Sequence, residues 1–262
     1  MHMFNAMVSP TVCVATNLAA ATLVGLSIVK LHRQQAPMRR MAPMMVVCTA
    51  LIFAAQMLNF SLPGVEASGH LIGGILLATL LGPWAATLTM SAVIALQCLL
   101  LGDGGLMALG CNIINMAVIP CMVVYPLLMR PLARRGSIMG LMMGAIIASV
   151  VALQLGAASL SLMTALSDSS LPIGQLLSHM QPIHLLIGFA EGAITAVALG
   201  LAMRMRADLL GDVNGQTAEA KPSTLTIIAV MALVIALSAT LATSQLPDGM
   251  EWSMEQVTDL LP

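Results

Sequence analysis

The sequence predicts an all-α, polytopic membrane bundle: a seven-span core followed by one further C-terminal span. Composition and hydropathy carry that prediction. Of 262 residues, 59% are hydrophobic and 8% are charged, whereas a soluble domain carries about 25% charged residues. Apolar runs of about 18 residues or more, enough for a helix to cross a bilayer, recur along the chain. The alternation expected of a transmembrane barrel is absent, so helices must satisfy the backbone.

Hydropathy places the spans at 9–30, 41–60, 69–82, 84–102, 105–129, 137–166, 182–204 and 224–245. The third covers only about 21 Å at 1.5 Å per residue, so it is expected to be tilted, partly buried or incomplete. Gly82 and Pro83 break it from the fourth. Three units follow: a core at 1–206, a polar cytoplasmic linker at 207–222, and the eighth span with a polar tail at 223–262.

Basic residues set the direction. Lys30, Arg33, Arg39 and Arg40 follow span one; Arg130, Arg134 and Arg135 follow span five; Arg204, Arg206 and Lys221 follow span seven. Alternating spans put all ten on one face, which the positive-inside rule makes cytoplasmic. The N-terminus and the C-terminal tail are then both outside the cell (inner) membrane. So are Glu66, Asp103, Asp168, Asp248, Glu251, Glu255 and Asp259, while Asp208, Asp212 and Glu219 are inside. Of the histidines, His2, His70, His179 and His184 are outside and His32 is inside. The outer face therefore gathers imidazoles and carboxylates.

Several classes are excluded. A net charge of −1 argues against a nucleic-acid partner. Cys13, Cys48, Cys98, Cys111 and Cys121 lie in apolar runs without a CxxC pair, as packing residues do. A cleavable signal peptide is not expected, because no Lys or Arg precedes Lys30. Neither a GxxxxGK[ST] phosphate loop nor an HExxH zinc motif occurs. The 23 methionines are scattered through spans and inner loops, unlike a grouped copper(I) site. Ala15 with Ala19, and Ala21 with Gly25, form a small-residue stripe suited to close helix packing, within the chain or on a partner.

The outer residues suggest a metal site. The Met1 α-amine, the His2 amide and the His2 imidazole can chelate one ion in neighbouring five- and six-membered rings. A deprotonated amide favours a planar nitrogen field, which suits Ni(II) or Cu(II). His70, in SGHLIGG, is the best placed to add a fourth nitrogen. Read alone, His2 is more often an incidental second residue, and Ser68 more often a helix N-cap. His184 and Glu191 lie two helical turns apart on nearly one face. A carboxylate at the depth of Glu191 is expensive, and is equally well read as a functional group or a structural carboxyl. Asn112 and Asn115 either join that polar network or bond between helices, the commoner case. Asp103, in the GDGG turn at 102–105, is either an outer carboxylate of the site or part of a plain glycine turn.

Three stretches carry a family resemblance: SGHLIGGILLATLLGPWAATL, LLLGDGGLMALGCNIINM and HLLIGFAEGAIT. With the opening Met-His and with Ser9-Pro10, they make nearly the whole chain resemble the CbiM/NikM family. Its members are substrate-binding components of energy-coupling-factor transporters for cobalt and nickel. LPDGMEW at 246–252 resembles the PDGLE segment of the accessory small subunit, fused here behind span eight. After Met-His the family's usual acid and glycine are replaced by Met3, Phe4, Asn5, Ala6 and Met7. The resemblance implies Ni(II) or Co(II) as transported substrate, with no organic cofactor. It implies Met1, His2 and His70 as metal ligands. The implied partners are a transmembrane coupling protein, two cytoplasmic ATPases, a small accessory membrane subunit and membrane lipid.

Two functions compete at this point. One is a binding subunit whose ATP is hydrolysed on partner chains, so that this chain is not itself an enzyme. The other is a stand-alone secondary carrier using Glu191 for proton coupling. Transport that continues in full without the ATPases would favour the carrier. The topology makes its own prediction. A cysteine label added at the C-terminus is expected to react from the outside of intact cells, and labelling only after membrane disruption would refute the orientation.

Overall fold

The computed structural model describes residues 1–33, 38–134, 136–167, 172–206, 209, 210, 213 and 221–258. Arg135, Asp168, Asp208, Asp212, Glu219, Asp259 and most of the expected linker lie outside the described residues, as do the side chains of Arg39 and Arg40. The main helices are α1 (Pro10–Arg33), α2 (Met38–Gln56), α3 (Gly74–Leu81), α4 (Pro83–Leu101) and α5 (Leu109–Ala133). They continue with α6 (Ile138–Ser167), α7 (Ile173–Met205), α8 (Pro222–Ala242) and α9 (Gly249–Thr258). A short antiparallel ribbon joins β1 (Phe60–Ser61) to β2 (Ser68–Gly69).

The chain is a polytopic helical membrane protein. Among the described residues, α1 and α4 to α8 are long and apolar enough to cross a bilayer, and α2 carries a shorter apolar stretch, Met41–Gln56. The middle of α5, Ile114–Met129, is wound as π-helix and contains Pro120 and Pro126. Each proline removes an N–H that regular α-helical bonding would use. The seventh helix begins at Ile173, upstream of the expected 182, and carries Pro182 inside it.

The third segment differs most from expectation. A helical span at 69–82 is not what forms. The chain stays non-helical through Gly73, and α3 has eight residues, about 12 Å of helix against a hydrocarbon core of about 30 Å. Ser68 is not a helix N-cap either. Its N–H donates to Pro247 O at 2.8 Å and its hydroxyl to Leu246 O at 2.8 Å. Every residue from 67 to 82 is buried. Non-helical backbone at membrane depth is tolerated only where protein covers it, and here the other helices cover it. Residues 68–73 at about 3.3 Å each, plus α3, reach at most about 32 Å. That is enough to cross, partly as extended chain and partly as helix. Gly73 closes the extended part at φ 82, a left-handed conformation that glycine adopts without strain.

The remaining helices build a wall around this segment. α3 packs on α4 and α5, α6 lies along α5 and α7, and α1 covers α4 and α5. α8 sits at the margin along α2, with only Thr224, Ile228, Ala232 and Ala239 buried. Lys30 Nζ lies 6.0 Å from the centre of the Trp84 ring, so the end of α1 meets the start of α4. The small-residue stripe is not used within the chain: Ala15, Ala19 and Ala21 are exposed, and a Cβ at Gly25 would meet nothing. All five cysteines are buried and free, as packing residues should be.

Helices α6 and α7 approach so closely that a Cβ at Gly192 would lie 2.7 Å from Ile146 Cα and 3.1 Å from Ile146 O. Main-chain atoms cannot swing aside, so the helices themselves must part. Gly192→Ala is expected to destabilise the protein by about 1–3 kcal/mol, the range for overpacking. Gly174→Ala, in the same helix with open space around it, is expected to cost nothing. Thermal unfolding of the two variants in detergent checks the contrast.

Candidate metal centre

The N-terminus is folded into the protein. Met1, His2 and Met3 are at most 4% exposed. Met3 N–H donates to Asn112 Oδ1 at 2.8 Å, and Asn112 Nδ2 donates back to Met3 O at 3.2 Å. Gly105 N–H donates to the same carbonyl at 2.8 Å. Further out, Asn5 Oδ1 accepts from Met107 N–H at 2.9 Å. The GDGG turn supplies the clearance. Gly104 has φ 83, and a Cβ there would lie 2.7 Å from Asn112 Nδ2. The Met1 side chain lodges against α6, where a Cβ at Gly156 would come within 2.9 Å of its Cε.

His70 reaches the same place from the extended segment before α3. Its Nε2 is 3.5 Å from the Met1 amine nitrogen, and its Nδ1 is 3.3 Å from Leu71 O. The tautomer with Nδ1 donating leaves the Nε2 lone pair facing the amine. The His2 and His70 rings stack, with centroids 5.8 Å apart and planes 21° apart. Two nitrogens bound to one ion at about 2.0–2.1 Å each, the range for zinc, sit no more than about 4 Å apart. The amine and His70 Nε2 already satisfy that limit.

Glu191 anchors the His70 segment rather than facing the pocket. Its two oxygens accept from Ile72 N–H at 2.8 Å and Gly73 N–H at 3.1 Å. Those donors belong to non-helical backbone, and the carboxylate replaces the ladder partners they lack. His184, also on α7, is buried, with Nδ1 2.7 Å from Met180 O. Its Nε2 has no hydrogen-bond partner among the described residues. With Met1, His70 and Asp248, it lines a cavity of about 10 Å³. Asn115 is buried, and its side-chain atoms bond to no described residue. Asn112 is thus brought to the site as a clamp on the main chain, and Asn115 is not.

Carboxylates complete the surroundings. Asp103 Oδ1 is 3.3 Å from His2 Nδ1. Burial, with the adjacent N-terminal ammonium, lowers the His2 imidazole to about 3, so the ring is neutral and this contact is not an ion pair. Burial pushes the Asp103 carboxyl up, against the pull of that ammonium. Asp248 is the residue that sequence reasoning missed. Its Oδ2 is 2.7 Å from the Met1 ammonium. Burial, the largest influence, would raise its carboxyl, but the ammonium, His70 and the Glu251 N–H together outweigh burial and hold it well below the usual carboxylate range. A second cavity of about 210 Å³, touching His2, His70, Asp103, Asp248 and Glu251, adjoins the centre.

A main-chain nitrogen stands beside the side chains here. Among the described residues, no three His, Cys, Asp or Glu side chains group as a metal site. The amine 3.5 Å from His70 Nε2 belongs to the main chain of Met1. Asp248 carried one legible signal. Asp248-x-x-Glu251 has the form of a capping box, which marks a helix start, and the structure makes it one. Asp248 Oδ1 accepts from Met250 and Glu251 N–H, and Glu251 Oε2 accepts from Asp248 N–H. Within the expected polar tail, residues 246–258 form a docked strap and helix.

A multi-pass helical membrane protein that encloses its own N-terminus beside a buried histidine has the makings of a metal-handling transporter. The chain belongs to the CbiM family, described as "Cobalt uptake substrate-specific transmembrane region", whose family model matches residues 2–209. It is 34% identical over 213 residues to a putative metal transport protein of Haloquadratum walsbyi, covering 80% of this chain and 93% of that one. It is 33% identical over 225 residues to a putative fused nickel transport protein of Archaeoglobus fulgidus, covering 84% and 69%. A crystal structure of a transition metal transporter superposes with a TM-score of 0.68 at 26% identity, covering 79% of this chain and 94% of that one.

His70 sets the first prediction from this geometry. His70→Ala removes a nitrogen without touching the Asn112 or Glu191 anchors. Nickel or cobalt affinity is expected to fall by more than the roughly 10–100-fold that loss of an outer partner costs. Insertion and thermal stability should hold. Unchanged binding would remove His70 from the centre.

Proposed function

We propose that this chain is the substrate-binding subunit of an ATP-driven uptake transporter for Ni(II) or Co(II). It captures the ion from the outside through its N-terminus and His70. The observation that carries this reading is the Met1 amine, buried and 3.5 Å from His70 Nε2, with the His2 ring stacked beside it. The ion would take the amine, the His2 amide and imidazole, and the His70 imidazole. Asp103, Asp248 and Glu251 line the adjoining cavity, where negative charge draws a cation inward.

Energy has to come from elsewhere, because the sequence has no phosphate loop. Partner ATPases, joined through a transmembrane coupling protein, fit that need, and the exposed small-residue face of α1 leaves room for a partner helix. The chain itself then acts as a transporter subunit and not as an enzyme. Glu191 gives the proton-coupled carrier no support, since both its oxygens are committed to backbone N–H groups.

The amine makes the proposal testable. A residue added before Met1 turns that amine into an amide nitrogen and moves His2 one place along. High-affinity nickel binding is expected to be lost on N-terminal extension and kept on an equal C-terminal extension. Binding must displace protons from the ammonium and the amide, so affinity should fall as pH falls. Equal metal stoichiometry in the two extended proteins, measured on purified samples, would overturn the N-terminal site.

A further inference from the structure

We infer that Asp248, in the C-terminal strap, is the positioning residue for the metal-binding amine: it holds Met1 beside His70 and keeps one amine N–H when the lone pair turns to the ion. This inference rests on the N-terminal capture proposed above. It adds a role for a segment beyond residue 209, where the family match ends.

Three observations support it independently. The first is geometric. Asp248 Oδ2 is 2.7 Å from the amine nitrogen, closer than His70 Nε2 at 3.5 Å. An ammonium has three N–H donors and no lone pair. An amine bound to a metal has lost one proton but still carries two N–H groups. A carboxylate already aligned on the ammonium can therefore stay bonded as the lone pair swings to the ion. The bound amine is then oriented from behind, as ligand imidazoles commonly are by carboxylates.

The second is that Asp248 is itself rigidly held. Its other oxygen accepts the Met250 and Glu251 N–H groups at 2.7 and 3.0 Å, so the side chain caps α9. One oxygen is fixed by the helix start, and the other is thereby aimed at Met1. An exposed tail could not aim a carboxylate in this way.

The third is that the strap is tied to the segment carrying His70. Ser68, two residues before His70, bonds to Leu246 O and Pro247 O. Ser244 N–H donates to Asn59 O at 2.8 Å, and Thr243 Oγ1 accepts from Asn59 N–H at 3.0 Å. The same strap thus registers both sources of ligand nitrogen: the amine through Asp248, and the imidazole through Ser68. α9 packs on α7, whose Glu191 fixes the other side of the His70 segment.

Asp248→Asn separates positioning from folding. Asparagine caps helices about as well as aspartate, so α9 keeps its start while the amine loses its charged acceptor. The test uses the full chain with an authentic N-terminus and Ni(II) alone as probe, in competition with a chelator. Asp248→Asn is expected to keep α9 folded, to lower thermal stability because the buried ammonium loses its counter-charge, and to weaken Ni(II) binding by about 10–100-fold in protein held well below its unfolding temperature. The ligand-field absorption spectrum of bound nickel should not change, because the same four nitrogens bind. In a protein extended by one residue before Met1, where the amine is gone, Asp248→Asn should alter the residual affinity less than about twofold. Wild-type affinity in Asp248→Asn, alongside loss in His70→Ala, would overturn the inference and leave the capture proposal standing. A changed spectrum would also overturn it, by making Asp248 a ligand. An N-terminally extended protein that still bound nickel tightly would instead bring down the capture proposal itself.

Discussion

A charged main-chain terminus buried inside a membrane protein is the constraint around which the rest is arranged. An isolated ammonium in that setting costs several kcal/mol in lost hydration. Here Asp248 meets it at 2.7 Å, and the carboxylate is in turn fixed by backbone N–H groups. The first three residues could not stay inside on that pair alone. Asn112 and Gly105 take up the Met3 N–H and C=O groups, which are otherwise orphaned in the interior. The GDGG turn is glycine-rich where this backbone passes: a Cβ at Gly105 would fall on the Asn5 backbone.

The same accounting explains the third segment. Non-helical chain is the only way to bring an imidazole alongside another backbone strand without a helix's bulk between them. Its cost is unpaired N–H and C=O groups at membrane depth. Glu191 takes two of the N–H groups, the strap takes that of Ser68, and Gln56 Nε2 donates to Ile72 O at 2.7 Å. Three separate elements therefore spend polar groups on residues 68–73. A membrane protein commits so much buried polarity where geometry is needed, and that segment carries His70.

Much of this was readable from residues. The apolar runs placed most ends of the long helices to within a few positions, because a bilayer leaves helices few alternatives, but put the start of α7 at 182 rather than at Ile173. Gly82-Pro83 marked the α3–α4 break. Charge sidedness and chelate chemistry suggested a pairing of His2 with His70, although His2 read alone is more often incidental, and the two rings do stack. Two things stayed hidden. Hydropathy read 69–82 as one helix because extended chain buried among helices is just as apolar as a span. Asp248 reads only as one acid of a polar outer tail, because its partner is a backbone amine 247 positions away. No local pattern records a contact with a chain terminus, and the capping box at Asp248-x-x-Glu251 records only the helix that follows.

Under the proposed capture, a main-chain site also accounts for what the pocket lacks. Carboxylates, the ligands that suit hard cations such as magnesium or calcium, stand at the rim: Asp103 on His2, Asp248 on the amine. The converging donors are nitrogens. An amide nitrogen between an amine and an imidazole is held by covalent geometry in two fused chelate rings, so its bite does not depend on packing. Packing has only to deliver the fourth nitrogen, and that is the task of the most heavily anchored segment in the protein. The division of labour places metal preference in the first two residues of the chain and affinity in the strap, the Glu191 anchor and the Asn112 clamp that hold those residues against His70. The strap lies beyond residue 209, outside the stretch matched by the family. Affinity can therefore be tuned by a peripheral segment while the nitrogen set stays the same.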